Sequence, residues 1–339
     1  MGEITVKLIF YVAILFIMMV PGIILKKCRL VQDGFGKGIS NLVLYVAQPV
    51  LVFQAYIRPF DVEILKNSLT VLILSVVMHA MFAVVAIVTF KKAEDSAGRM
   101  LRTATVFSNA AFMGIPLIEA VLGSEATIYA TVYNITFNIF LWSLGVYFCT
   151  AHRDMDNNGD IDSRKERAVT VFSSLGKAFV HPVTIAAFAG IMVFLLPIDS
   201  FFTQPLLAED KNLIWEALTM IKNLVAPLSM AVIGLRLADI DFKGFFSDIY
   251  MYIFIFLRHF GLPFATILIV ALIKAVGVNL GETVSLVLII MSATPAASSS
   301  TMFAEKFDCD AGYASKLVAF STILSIATMP VMLMVANLF

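Results

Sequence analysis

The chain has 339 residues, of which 60% are hydrophobic and 14% are charged, whereas about 25% of the residues in a typical soluble domain are charged. Lysine and arginine together number 24, as do aspartate and glutamate, so the net charge indicates neither a nucleic-acid partner nor an acidic one. A soluble core of this size could not cover so much apolar surface. The composition therefore excludes a soluble enzyme and predicts an all-α integral membrane protein embedded in a lipid bilayer.

Ten apolar stretches are each long enough to cross a hydrocarbon core of about 30 Å as a helix. They cover residues 4–25, 39–57, 66–90, 101–122, 127–150, 169–196, 213–235, 246–272, 282–303 and 313–337. The loops that follow the odd-numbered helices hold most of the lysines and arginines, and the positive-inside rule makes those loops cytoplasmic. We therefore expect a multi-pass protein of the cell membrane, with both termini outside and a cytoplasmic linker at residues 151–168.

The two halves of the chain resemble each other. Four residues of the first half recur in the second at nearly equal spacing, as Pro49 and Pro227, Arg58 and Arg236, His79 and His259, and Pro116 and Pro295. Each half holds five predicted spans, and an odd number places the second copy upside down relative to the first. We therefore predict inverted repeats at residues 1–150 and 169–339, an arrangement typical of secondary transporters.

Few ionisable residues fall inside the predicted spans. His79 lies in the middle of the third span, and Arg258 and His259 lie in the middle of the eighth. A charged residue at the centre of a membrane helix costs about 2.5–3.5 kcal/mol on insertion scales, so such residues are functional candidates by default. We interpret the three as candidates for proton coupling or anion pairing. The alternative is that they pair with backbone carbonyls inside the bundle.

The fourth and ninth spans each carry a proline among small and polar residues. The fourth contains Ser108, Asn109 and Pro116, and the ninth contains Thr294, Pro295, Ser298, Ser299 and Ser300. Proline removes a backbone donor, and a broken membrane helix is tolerated where it lines a cavity. Helix ends at such a break offer free N–H groups and a partial positive charge, which favour an anion. The alternative is that Ser and Thr merely bond the carbonyls that a kink frees.

The fifth span and the linker add two weaker signals. Asn134 and Asn138 are four residues apart and so share a helix face. They either pack against the fourth helix as structural contacts or line the cavity. In the linker, Asp154, Asp156, Asn158 and Asp160 alternate as in the start of a calcium loop. The twelfth position of such a loop should be a glutamate, but here it is Lys165. A solvated linker is the simpler interpretation, with calcium binding as the alternative.

No enzymatic motif survives inspection. The chain has no zinc-binding His-Glu-x-x-His helix, no phosphate-binding P-loop and no Gly-x-Ser-x-Gly elbow. We therefore expect no catalytic residues, no resident metal and no cofactor. The ion that we consider for coupled transport is H⁺, with Na⁺ as the alternative.

Four segments resemble the auxin efflux carrier family, which includes the PIN-like carriers and bacterial malate and malonate permeases. The likeness rests on residues 41–53, on residues 109–116 as an Asn-x4-Gly-[Ile/Val]-Pro motif, on residues 226–235 and on residues 294–307. In plant members a glutamine follows the ninth-helix proline, whereas this chain has Ala296. The long cytoplasmic loop of many plant members is missing as well. The related bile-acid/sodium symporters share the fold.

This resemblance implies ten transmembrane helices in two inverted five-helix repeats, with broken helices 4 and 9 crossing. Helices 1, 2, 6 and 7 would form a scaffold that often dimerises, and helices 3–5 and 8–10 a transport unit that moves like an elevator or rocks. By motif, Asn109 would contact a substrate carboxylate, and Pro116 and Pro295 would form the crossing.

The sequence thus predicts a secondary transporter, or uniporter, of small organic anions such as carboxylates or auxin-like acids. Besides Asn109 and the two prolines, Asn138, Ser298, Ser299 and Ser300 are expected to line the site. Ser108, Asn134 and Thr294 are expected to contact these residues rather than the substrate. A sodium-coupled symporter of bile-acid-like anions is one alternative. A membrane-embedded ligand sensor is another, although a sensor would usually carry an effector domain.

Overall fold

The computed structural model describes residues 2–32, 34–93, 96–150, 161–196, 198–204, 212–239 and 248–336, which fold into helices and their connections. The helices of the first half are α1 (Gly2–Ile17 and Val20–Lys27), α2 (Phe35–Ala55), α3 (Val62–Thr89), α4a (Ser96–Val106), α4b (Ala110–Leu122) and α5 (Ser124–Thr150). The calcium-loop candidates Asp154, Asp156, Asn158 and Asp160 lie outside the described residues.

The second half also contains both long and divided helices. Its elements are α6a (Ile161–Phe179), α6b (Pro182–Leu195), the short helix Asp199–Thr203, α7 (Leu213–Ala238), α8 (Ile249–Ala275), α9a (Glu282–Ala293), α9b (Ser299–Lys306) and α10 (Ala311–Ala336). Among the described helices, α1, α2, α3, α5, α7, α8 and α10 are long and apolar enough to cross a membrane, and α6a with α6b would be an eighth, bent by 50°. A multi-pass membrane protein follows from these lengths.

Three prolines inside helices follow widened turns. Pro49, Pro116 and Pro263 each occupy the second position after a five-residue π-turn. A proline lacks the N–H group and collides with the carbonyl one turn earlier, and a π-turn opens the backbone at that point. These helices therefore continue past their prolines instead of ending there.

Glycine allows α1 and α7 to meet backbone against backbone. A Cβ atom on Gly22 would overlap the carbonyl oxygen of Ala231, and one on Gly234 would overlap that of Met19. A similar approach joins α6b to α2, where a Cβ on Gly190 would lie 2.8 Å from the ring of Tyr56. Helices α1, α2, α6b and α7 thus pack closely on one another. Helix α3 packs on α5, α9a on α8 and α5, and α10 on α9b and α4a.

Hydrogen bonds between helix ends identify which ends share a side of the molecule. The start of α5 lies beside the ends of α2 and α4b, because Arg58 pairs with Glu125 at 3.3 Å and Thr127 donates to Glu119. The starts of α8 and α10 lie together at the opposite side, where Tyr313 donates to Asp248. We call these the α5 side and the α10 side.

Candidate functional site

The centre of the molecule is formed by two helix breaks that pair with each other. Helix α4 is interrupted at residues 107–109 and α9 at residues 294–298. Ser108 and Ala296 form an antiparallel β-bridge. The Asn109 N–H donates to the Pro295 carbonyl at 2.7 Å, and the Ala297 N–H donates to the Phe107 carbonyl at 2.8 Å. Each break therefore satisfies backbone groups of the other, as buried backbone groups require.

The structure places Pro116 away from the paired breaks. Pro116 lies seven positions beyond Asn109, inside α4b, where the π-turn at Ala110–Gly114 absorbs its missing donor. Helix α4 breaks at Ser108 and Asn109 instead, and it is these residues that face Pro295 and Ala296. Pro116 and Pro295 are separated by nearly the same number of residues as the other three repeated pairs. The two prolines nevertheless occupy different places relative to the helix breaks.

Arg258 holds the two helices that end at the breaks. Its side chain is fully buried. Its guanidinium donates to the carbonyl of Thr105 at 3.0 Å, to that of Ser292 at 2.7 Å, and to that of Thr294 at 2.8 and 3.1 Å. These carbonyls belong to the C-terminal ends of α4a and α9a, which lack intrahelical donors and carry partial negative charge. The sequence allowed either a role in coupling or anion pairing, or pairing with backbone carbonyls. The described contacts of Arg258 are with backbone carbonyls.

The two helices that begin at the breaks leave polar side chains without partners. The Asn109 side chain is 2% exposed, and its Nδ2 finds no hydrogen-bond partner among the described residues. The same holds for the hydroxyls of Ser108, Ser299 and Ser300. Buried polar groups are nearly always bonded to protein or to ordered water. Unused donors beside the starts of α4b and α9b are what an anion site would offer.

The remaining predicted residues of the ninth span have structural partners. The Ser298 carbonyl accepts a bond from Arg236 of α7 at 3.1 Å. The Thr294 hydroxyl donates to the Met291 carbonyl at 2.9 Å, and its own carbonyl binds Arg258. Both bonds of Thr294 thus stabilise the end of α9a.

Helix α5 lies against this centre. Asn134 and Asn138 are both buried, and Asn134 Oδ1 has no partner among the described residues. Between them, Phe137 packs edge-on against Phe107 of the α4 break, with ring centroids 5.6 Å apart. Tyr133 lies near Ser108, although neither hydroxyl has a hydrogen-bond partner among the described residues. The face of α5 that holds Tyr133 and Phe137 is thus turned toward the α4 break, and Asn134 and Asn138 are buried one position further along the helix.

Gln48 of α2 is a site residue that the sequence reasoning missed. It is fully buried, and its Nε2 donates to the Ala111 carbonyl in the π-turn of α4b at 2.8 Å. An amide inside an apolar run, directly before Pro49, was the available signal. Together with Arg236, it ties α2 and α7 to the two breaks.

The two buried histidines have similar environments. His79 Nδ1 donates to the Ser75 carbonyl at 2.7 Å, because a carbonyl can only accept. His259 Nδ1 bonds the Thr328 hydroxyl at 2.8 Å, and that hydroxyl donates onward to the Leu324 carbonyl. Neither Nε2 atom has a partner among the described residues. His79 also lies 5.0 Å from the ring of Tyr133, which connects it to Ser108.

Two ion pairs on the α5 side join α7 to α4b and the end of α2 to α5. Lys222 of α7 pairs with Glu119 of α4b at 2.7 Å, and both side chains are about one-fifth exposed, at 20% and 21%. Arg58, just after α2, pairs with Glu125 of α5 at 3.3 Å. Both pairs link the α2–α7 packing unit to the helices that contain or flank the α4 break.

Comparison with known proteins identifies a family for the chain. A family model described as membrane transport protein matches residues 8–333. A search of curated proteins finds no match. Within the described residues, no group of three or more His, Cys, Asp or Glu side chains could hold a metal ion.

Proposed function

Because the chain belongs to the membrane transport protein family, the auxin efflux carrier family, we propose that it carries small organic anions, such as carboxylates or auxin-like acids, as a secondary transporter or uniporter. The observation that supports this best is the pair of helix starts beside the unpartnered Asn109 amide. Helix N-termini favour negative charge, and discontinuous transporter helices bind substrate carboxylates in this way.

In this proposal Asn109 binds the carboxylate directly. Ser298, Ser299 and Ser300 at the start of α9b, with Asn138 on α5, line the rest of the site. Ser108, Asn134 and Thr294 hold these residues in place. Pro295 fixes the extended backbone that accepts the Asn109 N–H, and Pro116 acts only through the π-turn that precedes it.

The proposed architecture has ten membrane crossings in two inverted repeats. Helices α4 and α9 would each cross as a divided pair, and α6 as a bent one. The close packing of α1, α2, α6b and α7 supports a scaffold through which two copies dimerise. The remaining helices would form the moving unit, and the α5 side would face outward.

Alternating access would require the outer contacts to open. The two ion pairs, Lys222 with Glu119 and Arg58 with Glu125, join the proposed scaffold to the moving unit on the α5 side. Both must part when the site opens outward. They therefore stabilise the conformation that is closed on that side.

Glu119→Gln is expected to increase outward opening about fivefold, because a partly exposed ion pair contributes on the order of 1 kcal/mol. The measure is the labelling rate of Ser229→Cys on α7 by a membrane-impermeant thiol reagent, with Cys28, Cys149 and Cys309 replaced. The matched control is the swapped pair Glu119→Lys with Lys222→Glu, which should restore the slow rate. Equal rates with and without Glu119→Gln would show that the pair does not hold the outer side closed.

The function is tested by a thermal-shift screen of the purified protein against mono- and dicarboxylates, followed by uptake into proteoliposomes. A ligand that binds the folded state raises its apparent stability, by about 2.7 kcal/mol at one hundred times its Kd. We expect stabilisation by at least one carboxylate and uptake of the same compound. Stabilisation by neutral or cationic compounds alone would refute the proposal.

Coupling is the second part of the same experiment. Proton coupling would run through His79 or His259, whose Nε2 atoms have no partner among the described residues. Uptake that collapses without a pH gradient in the wild type, and no longer responds to it in His79→Gln or His259→Gln, would support this route. Uptake that requires sodium would instead favour a symporter.

A further inference from the structure

Four helix ends meet at the paired breaks. Helices α4a and α9a end there, and α4b and α9b begin there. Each end carries about half an elementary charge, negative at a C-terminus and positive at an N-terminus. Two negative and two positive ends nearly cancel. The helix ends taken alone therefore give the centre of the molecule little preference for an anion over a cation.

Arg258 removes that balance. Its guanidinium bonds the Thr105, Ser292 and Thr294 carbonyls, all at the two negative ends. One full positive charge offsets two half-charges, so the positive ends of α4b and α9b act on a ligand without opposition. The buried Asn109 Nδ2 and Ser300 hydroxyl, both without partners among the described residues, lie at those ends.

The surroundings of Arg258 supply no competing carboxylate within the described residues. The side chains that interact with it electrostatically are Tyr133, His79 and His259, and none of them carries a negative charge at neutral pH. Its charge is therefore offset by helix ends rather than by a fixed counter-ion.

We propose that Arg258 is the residue that determines charge selectivity at this site: by neutralising the C-terminal ends of α4a and α9a, it makes the paired breaks selective for anions. This inference rests on the proposed function and adds a positioning residue that need not touch the substrate. In many transporters, half-helix C-terminal ends coordinate a coupling cation. Here the guanidinium occupies those ends.

The test is chemical rescue of a truncated arginine. Arg258→Ala is expected to bind a carboxylate about 30- to 100-fold more weakly, since a unit charge a few ångströms away acts through an effective dielectric of about 20. Adding millimolar guanidinium chloride should restore much of the affinity, because the cation can return to the freed carbonyls. Arg258→Lys, which keeps the charge but not the planar fork, should lie between the wild type and Arg258→Ala.

Arg102→Ala is the matched control. Arg102 also donates to backbone carbonyls, those of Phe90 and Ala93 at 2.7 and 2.8 Å, but these lie beyond the end of α3. Guanidinium should leave carboxylate affinity unchanged in this variant. A purely structural role for Arg258 would lower affinity without specific rescue.

The wild type gives a second readout that does not depend on a folded variant. Its affinity for a carboxylate should exceed its affinity for the neutral amide of the same acid by about 30-fold or more. Equal affinities, or a folded Arg258→Ala protein that binds normally or is not rescued, would overturn the inference. If the wild type bound no carboxylate at all, the proposed function itself would fail.

Discussion

Asn109→Ala is expected to weaken carboxylate binding by about 10- to 100-fold, the usual worth of a hydrogen bond to a charged group, and to leave the protein folded. The two effects separate because the residue has two roles. Its main-chain N–H holds the Pro295 carbonyl and survives the substitution. Its side-chain Nδ2 has no partner among the described residues, so the folded state loses no bond. Binding by calorimetry and the thermal midpoint measure the two effects.

Two further variants sharpen this experiment. Asn109→Asp is nearly the same shape but places a negative charge beside the substrate, so it should weaken anion binding more than alanine does. Asn223→Ala alters an exposed asparagine of α7 and should leave binding unchanged. Wild-type uptake by Asn109→Ala, or tighter binding by Asn109→Asp, would refute the role assigned to this residue.

Gly234→Ala is expected to have the largest effect on stability. The added Cβ would overlap the Met19 carbonyl oxygen, and backbone atoms cannot step aside as a flexible side chain would. Helices α1 and α7 must separate, which costs about 1–3 kcal/mol or more in a packed core. We expect a lower thermal midpoint and a loss of monodisperse protein in size-exclusion chromatography.

Gly176→Ala tests the same change where there is room. A Cβ at Gly176 of α6a would meet nothing within 4 Å, and glycine inside a helix is less favourable than alanine by about 0.5–1 kcal/mol. This variant should therefore be neutral or slightly more stable. Equal midpoints for Gly234→Ala and the wild type would show that the α1–α7 contact is not close in solution.

Much of the helical layout follows from local sequence. The predicted spans 66–90 and 127–150 correspond to α3 at Val62–Thr89 and α5 at Ser124–Thr150, because continuous apolar runs and capping residues such as Asp61 fix helix ends locally. The break of α9 could also be predicted from the sequence, since Pro295 lies within it. These features depend on neighbours in the chain.

The features that were not predicted depend on partners far away in the chain. The break in α4 falls at Ser108 because it pairs with Ala296, whereas the nearby Pro116 is absorbed by a π-turn. The partners of Arg258 come from α4a and α9a, and the partner of Gln48 comes from α4b. Residue identity alone names such side chains as candidates, but only tertiary packing assigns their contacts.

The joint between the two broken helices is made by peptide groups. At positions 108 and 296 the side chains take no part in it, and at 109 and 297 any residue except proline can supply the donor. The fold therefore places no demand on these side chains beyond excluding proline at two of the four positions, and the Asn109 amide is left to contact the solute.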